Sequence, residues 1–518
     1  MRKYCLSFIV YCLLSIICGN VFAGEVITVC GQNLQNYFWS LDRGRTTGNS
    51  VANSNYSTEA GRTKKTTLIV NALKDFEADI YAFNELEAKP QILIYLAQKM
   101  SEATGHTYAA VEDDIDYDLT TDADGLIKSG FIYRTDKVMP YGRSATTGGL
   151  YEFIYPYLMR IQTFEALASH ERFTLTMNHF KAGGAEYANQ RAYNATSLLQ
   201  GVNKALDADV LVIGDLNCEL DEEALQMLMT AGYEEQMVRY NGSSIYTYSW
   251  SGGTMFIDHV FANATMAAQV TDAHVYHVAN KYTVGNANAY SDHDPYVVTL
   301  DLQSESPAGG DISYSEPFSE SLGRFYQVNV TGKSLWTFYT NGTYAYAMMN
   351  GYSSGENEDW LLSPYFDLRG MSGATLKVRH CVGYGSSSTW GNYLKLYVST
   401  DYFEHADMPN EASWEELTIS TFGTKNWDWQ NMTQSLPDNV LNHEHVCIGF
   451  RYTSGTSDIP AWELQKFELT ATYTGTGFDM IQKEHPALQP RKVFRNGHCY
   501  ILMPNGSLYS LTGARVKE

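Results

Sequence analysis

Between Val26 and Leu302 the apolar residues recur at two spacings. Short, nearly continuous runs at Val26–Cys30, Asp79–Phe83, Phe131–Tyr133, Phe173–Met177, Val210–Ile213 and Ile257–Phe261 have the length and apolarity of buried strands. Between them, Ile69, Leu73 and Phe76 fall at helical spacing within Thr66–Phe76, and Pro90 opens a second helix through Ile94, Leu96 and Met100. Strands that alternate with helices predict an α/β layered domain over residues 24–303.

The pattern changes after Ser304–Asp311, a Ser-, Pro- and Gly-rich stretch that reads as a linker. Over residues 312–475 short alternating runs dominate, clearest in Ala374–His380 and Tyr393–Val398, with Gly and Ser at the turns. This predicts an all-β sandwich of jelly-roll type. Residues 476–518 form a third unit, in which Lys492–Leu502 and the stretch from Pro504 read as small hairpins with Asn-Gly turns.

A chain of 518 residues is too long for one ordinary domain, in keeping with this division. Met1–Ala23 reads as a signal peptide: Arg2 and Lys3 precede an apolar Leu6–Cys18, and Val21-Phe22-Ala23 suits cleavage. The apolar run is short for a membrane span, and Ile17 stands where lipidation at Cys18 would want a small residue. A secreted protein with no transmembrane segment is expected. Of the remaining cysteines, Cys30, Cys218, Cys381, Cys447 and Cys499, none forms a Cys-x-x-Cys pair, which argues against zinc and against a disulfide scaffold. Cys381 and Cys447 share the sandwich region, where pairing stays open. The net charge of −22 excludes a protein that coats DNA by charge alone, and beyond Met1–Ala23 only the tail is net basic. An enzyme that reaches phosphate through bound cations remains compatible, because the metal inverts the local sign.

Two motifs follow strand-like runs and carry chemistry: Gly214-Asp215-Leu216-Asn217 and Ser291-Asp292-His293-Asp294-Pro295. Carboxylate, amide and imidazole in one crevice can bind a hard divalent cation and move a proton beside it. A phosphodiester needs charge neutralised on its non-bridging oxygens, a nucleophile made from water, and help for the leaving alkoxide. Asp215 and Asn217 would equally suit the cap of a helix starting near Leu220, and Glu85 and His179 taken singly could be structural.

The order decides. Gln32–Asn36, Asn84–Glu87, Asn178–Lys181, Gly214–Asn217, Phe256–His259 and Ser291–Pro295 succeed one another at strand ends, and in this the chain resembles the endonuclease/exonuclease/phosphatase superfamily, the deoxyribonuclease I-like fold, over residues 25–302. The resemblance implies a four-layer α-β-β-α sandwich with its site where the two central sheets open. Carried over by position, Glu85 is the chief metal ligand with Asn33 beside it and Asp292 opposite. Asp215 orients or deprotonates the attacking water, Asn217 holds a phosphate oxygen, His293 is acid–base partner or phosphate donor oriented by Asp258, and His179 is the second active-site histidine. Magnesium is the implied cofactor, with manganese or calcium as substitutes. Arg134 resembles a strand-borne arginine that touches substrate phosphate, though a surface ion pair explains it equally. The chain departs from the pattern at Tyr157, where arginine is usual and Arg160 is displaced, and at Asn84, which replaces glutamine.

The acidic run Glu112–Asp118, with Asp122 and Asp124, lacks EF-hand spacing because Leu119 stands where glycine is needed, so it reads as a solvated loop. Asp359–Leu368 and Ala461–Leu464 resemble adhesin-like jelly-roll modules of secreted bacterial enzymes, and the tail resembles a type IX sorting signal. Trp336, Trp390, Trp427 and Trp429 could stack on a surface glycan or on bases, or fill the sandwich core. The function expected is a secreted metal-dependent phosphodiesterase acting on DNA or RNA. The alternatives are a phospholipid or sugar-phosphate esterase on the same fold and, further off, a glycan-binding adhesin.

Overall fold

The computed structural model describes residues 24–39, 58–113, 127–147, 157–250, 252–278, 289–302, 310–352 and 355–474, and the backbone of strands 491–495, 498–502 and 508–510. Met1–Ala23, read above as a signal peptide, lies outside these residues, as do most of the acidic run and most of the stretch read as a linker.

The first domain holds two mixed sheets. One contains β1 (Glu25–Tyr37), β2 (Ile80–Glu87), β3 (Tyr108–Ala110) and β4 (Ile127–Arg134). The other runs inward from its border strand β5 (Val138–Thr146) through β6 (Arg160–Ala166), β7 (Arg172–His179) and β8 (Val210–Asp215) to β9 (Asp258–Ala262). Strands β10 (Val270–Val275) and β11 (Tyr296–Leu302) extend the first sheet, in the order β10-β11-β1-β2-β4-β3, and the short strand Tyr157–Leu158 pairs beside β4. The pairs β1/β2 and β7/β8 are parallel, and their neighbours β11, β4 and β9 are antiparallel.

Strand alternation sorts the apolar side chains into three cores. Ile80 and Ala82 join Phe164, Leu175, Met177 and Ile213 between the sheets. Tyr81 and Phe83 point the other way, onto α1 (Glu59–Leu73) and α2 (Pro90–Thr104) through Ile69, Leu73, Leu93 and Leu96. Val210 and Val212 likewise meet Leu198 of α3 (Ala188–Gly201) and Leu225 of α4 (Glu223–Thr230) on the outer face of the second sheet. Pro90 does open its helix, and α1 starts a full turn and more before Thr66.

In the second domain, two antiparallel sheets of six and five strands enclose an apolar core that includes Leu376, Val378, Leu396, Phe450, Trp462 and Phe467. Trp336 and Trp390 belong to this core, at 2% and 1% exposure, so they are not ligand platforms. Trp427 is exposed. Cys381 and Cys447 are both buried and free. Cys381 donates to Glu463 Oε2 in one sheet, and Cys447 lies in the other beside Ser363. The tail strands Arg491–Arg495, His498–Leu502 and Leu508–Ser510 form an antiparallel three-stranded sheet of their own.

The two large domains touch along β5. Asp407, on a loop of the sandwich, accepts from the Thr146 backbone N–H at 2.7 Å and its hydroxyl at 3.0 Å, and pairs with Lys204. Tyr141 stacks on Phe403, and its hydroxyl lies 3.2 Å from His445 Nε2. Arg172 donates to Glu444 Oε1 at 2.9 Å.

Candidate active site

Strand direction gathers the chemistry at one edge of the two sheets. The parallel pairs β1/β2 and β7/β8 all end there, delivering Asn33, Glu85, His179 and Asp215. Asp258 starts β9 directly opposite Asp215, and Asp292 and His293 come just before β11. Gly214 makes the close approach of β7 and β8 feasible: its φ is +134°, and a Cβ there would lie 2.1 Å from the Asn178 carbonyl oxygen.

The ends are irregular where they carry ligating groups. Pairing of β1 with β2 shifts register after Asn33, and β2 with β4 shifts between Phe83 and Leu86. Gln35, Asn36, Glu85 and Asn217 all adopt left-handed backbone, with φ between 49° and 59°. Such bulges re-aim side chains, and each left-handed residue stores about 1–3 kcal/mol that its surroundings must offset.

Asp215 is the hub. Asn33 Nδ2 donates to its Oδ2 at 2.9 Å and to Glu85 Oε1 at 3.1 Å. The Nε2 atoms of His179 and His293 each stand 3.6 Å from Asp215 Oδ2. Its Oδ1 accepts from the Asn217 backbone N–H, and its own N–H donates to Asn84 Oδ1. His293 Nδ1 lies 2.7 Å from Asp258 Oδ2, which leaves Nε2 facing Asp215 and, at 3.9 Å, Asp292. His179 Nε2 is also 3.9 Å from Glu85 Oε1.

Burial with neighbouring charge sets the protonation states. Desolvation pushes Asp215 up to about 8 and Asp292 to about 6. His179 is pulled down to about 4 by burial. Burial also opposes charge on His293, but Asp258, Asp215 and Asp292 together outweigh it and raise that imidazole well above its ordinary value.

The donor set fits a divalent cation. Glu85, His179 and Asp215 present ligand atoms within 4.8 Å of one another, as do Asp215, Asp258 and His293. Four acidic side chains crowd one crevice, and the nearby Gln35 Oε1 is buried without a hydrogen-bond partner. Oxygen-rich sites of this kind suit magnesium, manganese or calcium. As oriented, Asn33 turns its amide nitrogen to the carboxylates, bridging Glu85 and Asp215.

Arg134 is not in this site. Strand β4 runs antiparallel to β2, with Tyr133 opposite Ile80, so Arg134 falls at the far edge of the sheet and pairs with Asp79 and Asp136. Arg160 is buried against Ser144, donating to its Oγ and carbonyl. Asn217 Nδ2 is tied to the Phe180 carbonyl, and α4 starts at Glu223 with Glu222 as its cap residue, so Asp215 and Asn217 do not cap it.

Sequence reasoning passed over Gln35, whose Nε2 donates to Asp292 Oδ2 at 2.8 Å, and Lys65, which is fully buried behind the site. The signal for Lys65 was present: a lysine one turn before Ile69 and two before Leu73 stands on the apolar stripe of its helix. Beside His293, Tyr248 and Trp250 continue outward as a stack with 5.6 Å between their ring centroids.

Residues 50–293 match the profile of the Endonuclease/Exonuclease/phosphatase family, whose members are phosphoester hydrolases. The matched stretch holds every site residue above except those of β1. No curated protein matches the chain. Among solved structures, an endonuclease/exonuclease/phosphatase family protein from Bacteroides thetaiotaomicron is 16% identical, with a TM-score of 0.38, over 55% of this chain and 100% of its own. A mannosyl-6-phosphatase from the same organism is 17% identical, with a TM-score of 0.35, over 52% and 98%. Humanized D. rerio TDP2 is 14% identical, with a TM-score of 0.37, over 54% and 99%.

Proposed function

We propose that this chain is an exported, divalent-metal-dependent phosphodiesterase whose substrate is nucleic acid, DNA in the first place and RNA in the second. The observation that carries the reading is the Asp258–His293–Asp215 relay beside Glu85 and Asp292. One carboxylate fixes the imidazole through Nδ1, and the free Nε2 faces a second carboxylate in a crevice built for positive charge. The family of the matched domain supports phosphoester hydrolysis as the reaction class.

In this reading Glu85, Asn33 and Asp292 hold magnesium, with manganese or calcium as substitutes; the bound ion neutralises charge on the non-bridging phosphate oxygens. Asn33 Oδ1, which accepts from the Gln35 N–H, is the amide atom that could face the ion. Asp215 orients the attacking water and takes its proton. His293, kept as an imidazolium by Asp258, donates from Nε2 to the phosphate or to the leaving oxygen. His179 supplies a second imidazole to the phosphate, and Asn217 shapes the loop that presents Asp215. The domain is the four-layer α-β-β-α sandwich of the deoxyribonuclease I-like fold, followed by a jelly-roll module and a type IX-like sorting tail. Export rests on Met1–Ala23 and is checked by sequencing the amino terminus of the protein recovered from culture medium.

A second reading is favoured by the arginines. With Arg134 at the far edge and Arg160 tied to Ser144, neither grips a polymeric phosphate backbone, which suits a small sugar-phosphate or phospholipid headgroup instead. The test incubates the full chain with circular plasmid, RNA, sugar phosphates and phospholipid, with Mg²⁺ or with EDTA, beside Asp215→Asn. Metal-dependent nicking lost in the variant supports the nuclease. Turnover of small phosphoesters alone moves the assignment to the second reading. Inactivity on all four would sink both.

A further inference from the structure

Helix α1 sends Lys65 into the protein behind the carboxylate cluster. Lys65 is 0% exposed, on the stripe it shares with Ile69 and Leu73. Burying an ammonium is costly unless its hydrogen-bonding and charge are met. Its Nζ donates to two consecutive backbone carbonyls, Gln35 at 2.6 Å and Asn36 at 3.4 Å. These are the two left-handed residues at the end of β1, with φ of 49° and 59°. Gln35 has neither glycine's freedom nor asparagine's tolerance for this region, so its conformation needs an external hold.

The same two residues reach the ligating carboxylates from their other side. The Asn36 backbone N–H donates to Glu85 Oε2 at 2.9 Å, and Gln35 Nε2 donates to Asp292 Oδ2 at 2.8 Å. The Gln35 N–H in turn donates to Asn33 Oδ1 at 2.8 Å. Lys65 thus stands behind a turn that touches Asn33, Glu85 and Asp292 together; burial pulls it down to about 7, while Glu85 and Asp292 favour its charged form.

We propose that Lys65 is a positioning residue for the divalent-cation site, clamping the Gln35–Asn36 turn so that the donors that orient Glu85 and Asp292 stay in place. The proposal rests on reading that cluster as a cation site. Without the clamp the strained turn relaxes, and both carboxylates lose the donors that orient them. Loss of such outer partners weakens metal binding by about 10–100-fold.

The experiment titrates Mn²⁺ into the full-length wild-type protein, Lys65→Met and Gln35→Ala by calorimetry, with thermal unfolding of the metal-free proteins alongside. The expected result is Mn²⁺ affinity weakened by about 10–100-fold in Lys65→Met. Gln35→Ala, which leaves the buried lysine in place, weakens it as well. Adding Asn36→Gly to Lys65→Met recovers part of the affinity, because glycine takes left-handed backbone unaided. A folded Lys65→Met that binds Mn²⁺ like the wild type overturns the proposal, even if its Tm has dropped, since the lysine would then serve stability alone. Should Lys65→Met fail to fold, unchanged affinity in Gln35→Ala overturns it. If the wild type itself binds no Mn²⁺, the cation-site reading fails and takes this role with it.

Discussion

Asp215 holds its proton up to about pH 8 because burial opposes its charge, and Asp292 does so to about 6. A cation needs Asp292 as its carboxylate ligand, and it is held more tightly once Asp215 beside it is ionised. At neutral pH its binding therefore expels protons, and apparent affinity rises with pH until Asp215 has ionised. Calorimetry in buffers of different ionisation enthalpy, between pH 6 and 9, reads both effects; an affinity flat across that range contradicts the assignment. Asp258 acts through charge as well as through its hydrogen bond. Asp258→Asn keeps the shape but removes the counter-charge of the His293 imidazolium, so turnover falls by about 10²–10⁴-fold. A variant with wild-type turnover and an intact fold would show His293 to be a structural histidine.

At the scale of elements, the sandwich carries its own proton-linked weakness. His380 is buried in strand Met371–Gly383, accepts from Trp462 Nε1 at 3.2 Å, and is pulled down to about 4 by burial. Its folded value lies below the unfolded one near 6.5, so its neutral form costs nothing above that pH. Between pH 6.5 and 4 the unfolded chain binds a proton that the folded chain refuses, and stability drops by about 1.4 kcal/mol per pH unit at most. Urea midpoints across that window, compared with His380→Gln, measure the slope. The buried free thiols of Cys30, Cys218, Cys381 and Cys447 are expected to stay silent to thiol reagents until the chain unfolds. Rapid labelling of any of the four in native protein contradicts their burial.

Much of this scale was legible in the chain. Runs such as Val210–Ile213 and Asp79–Phe83 are buried on both faces, which leaves a continuous apolar signature, and the site motifs stand just past them. What could not be read was direction and long-range pairing. Arg134 lies on a convincing strand, but whether that strand runs with or against β2 decides which edge its last residue reaches, and no local pattern carries that information. The bulges that extend β1 to Tyr37 and turn Glu85 left-handed come from contacts between segments about 50 residues apart. Trp336 and Trp390 fill the sandwich core, the commoner place for such aromatics, although their sequence context looks the same whether they face the core or the solvent.

For the molecule as a whole, the joint between the large domains hinges on Asp407. Lys204 and the Thr146 N–H hold its carboxyl below the usual aspartate range, although burial pulls the other way. That contribution is present above the ordinary aspartate pKa and is lost only as pH falls below it. Asp407→Ala removes a charged hydrogen-bond acceptor worth about 1–3 kcal/mol. It is expected to loosen the joint without touching catalysis, seen as faster proteolysis between the domains with unchanged turnover. Turnover that falls in step with proteolysis would instead couple the sandwich to the active site.

Strand β5 is the border of its sheet, and a border strand offers bare amides onto which another molecule can stack. Here Asp407 caps the Thr146 amide, and Phe403 and Glu411 lie over Tyr141, Gly142 and Arg143. The sandwich thereby works as a bumper. It is expected to keep copies of the chain from pairing edge to edge, and a chain trimmed of it should lose solubility.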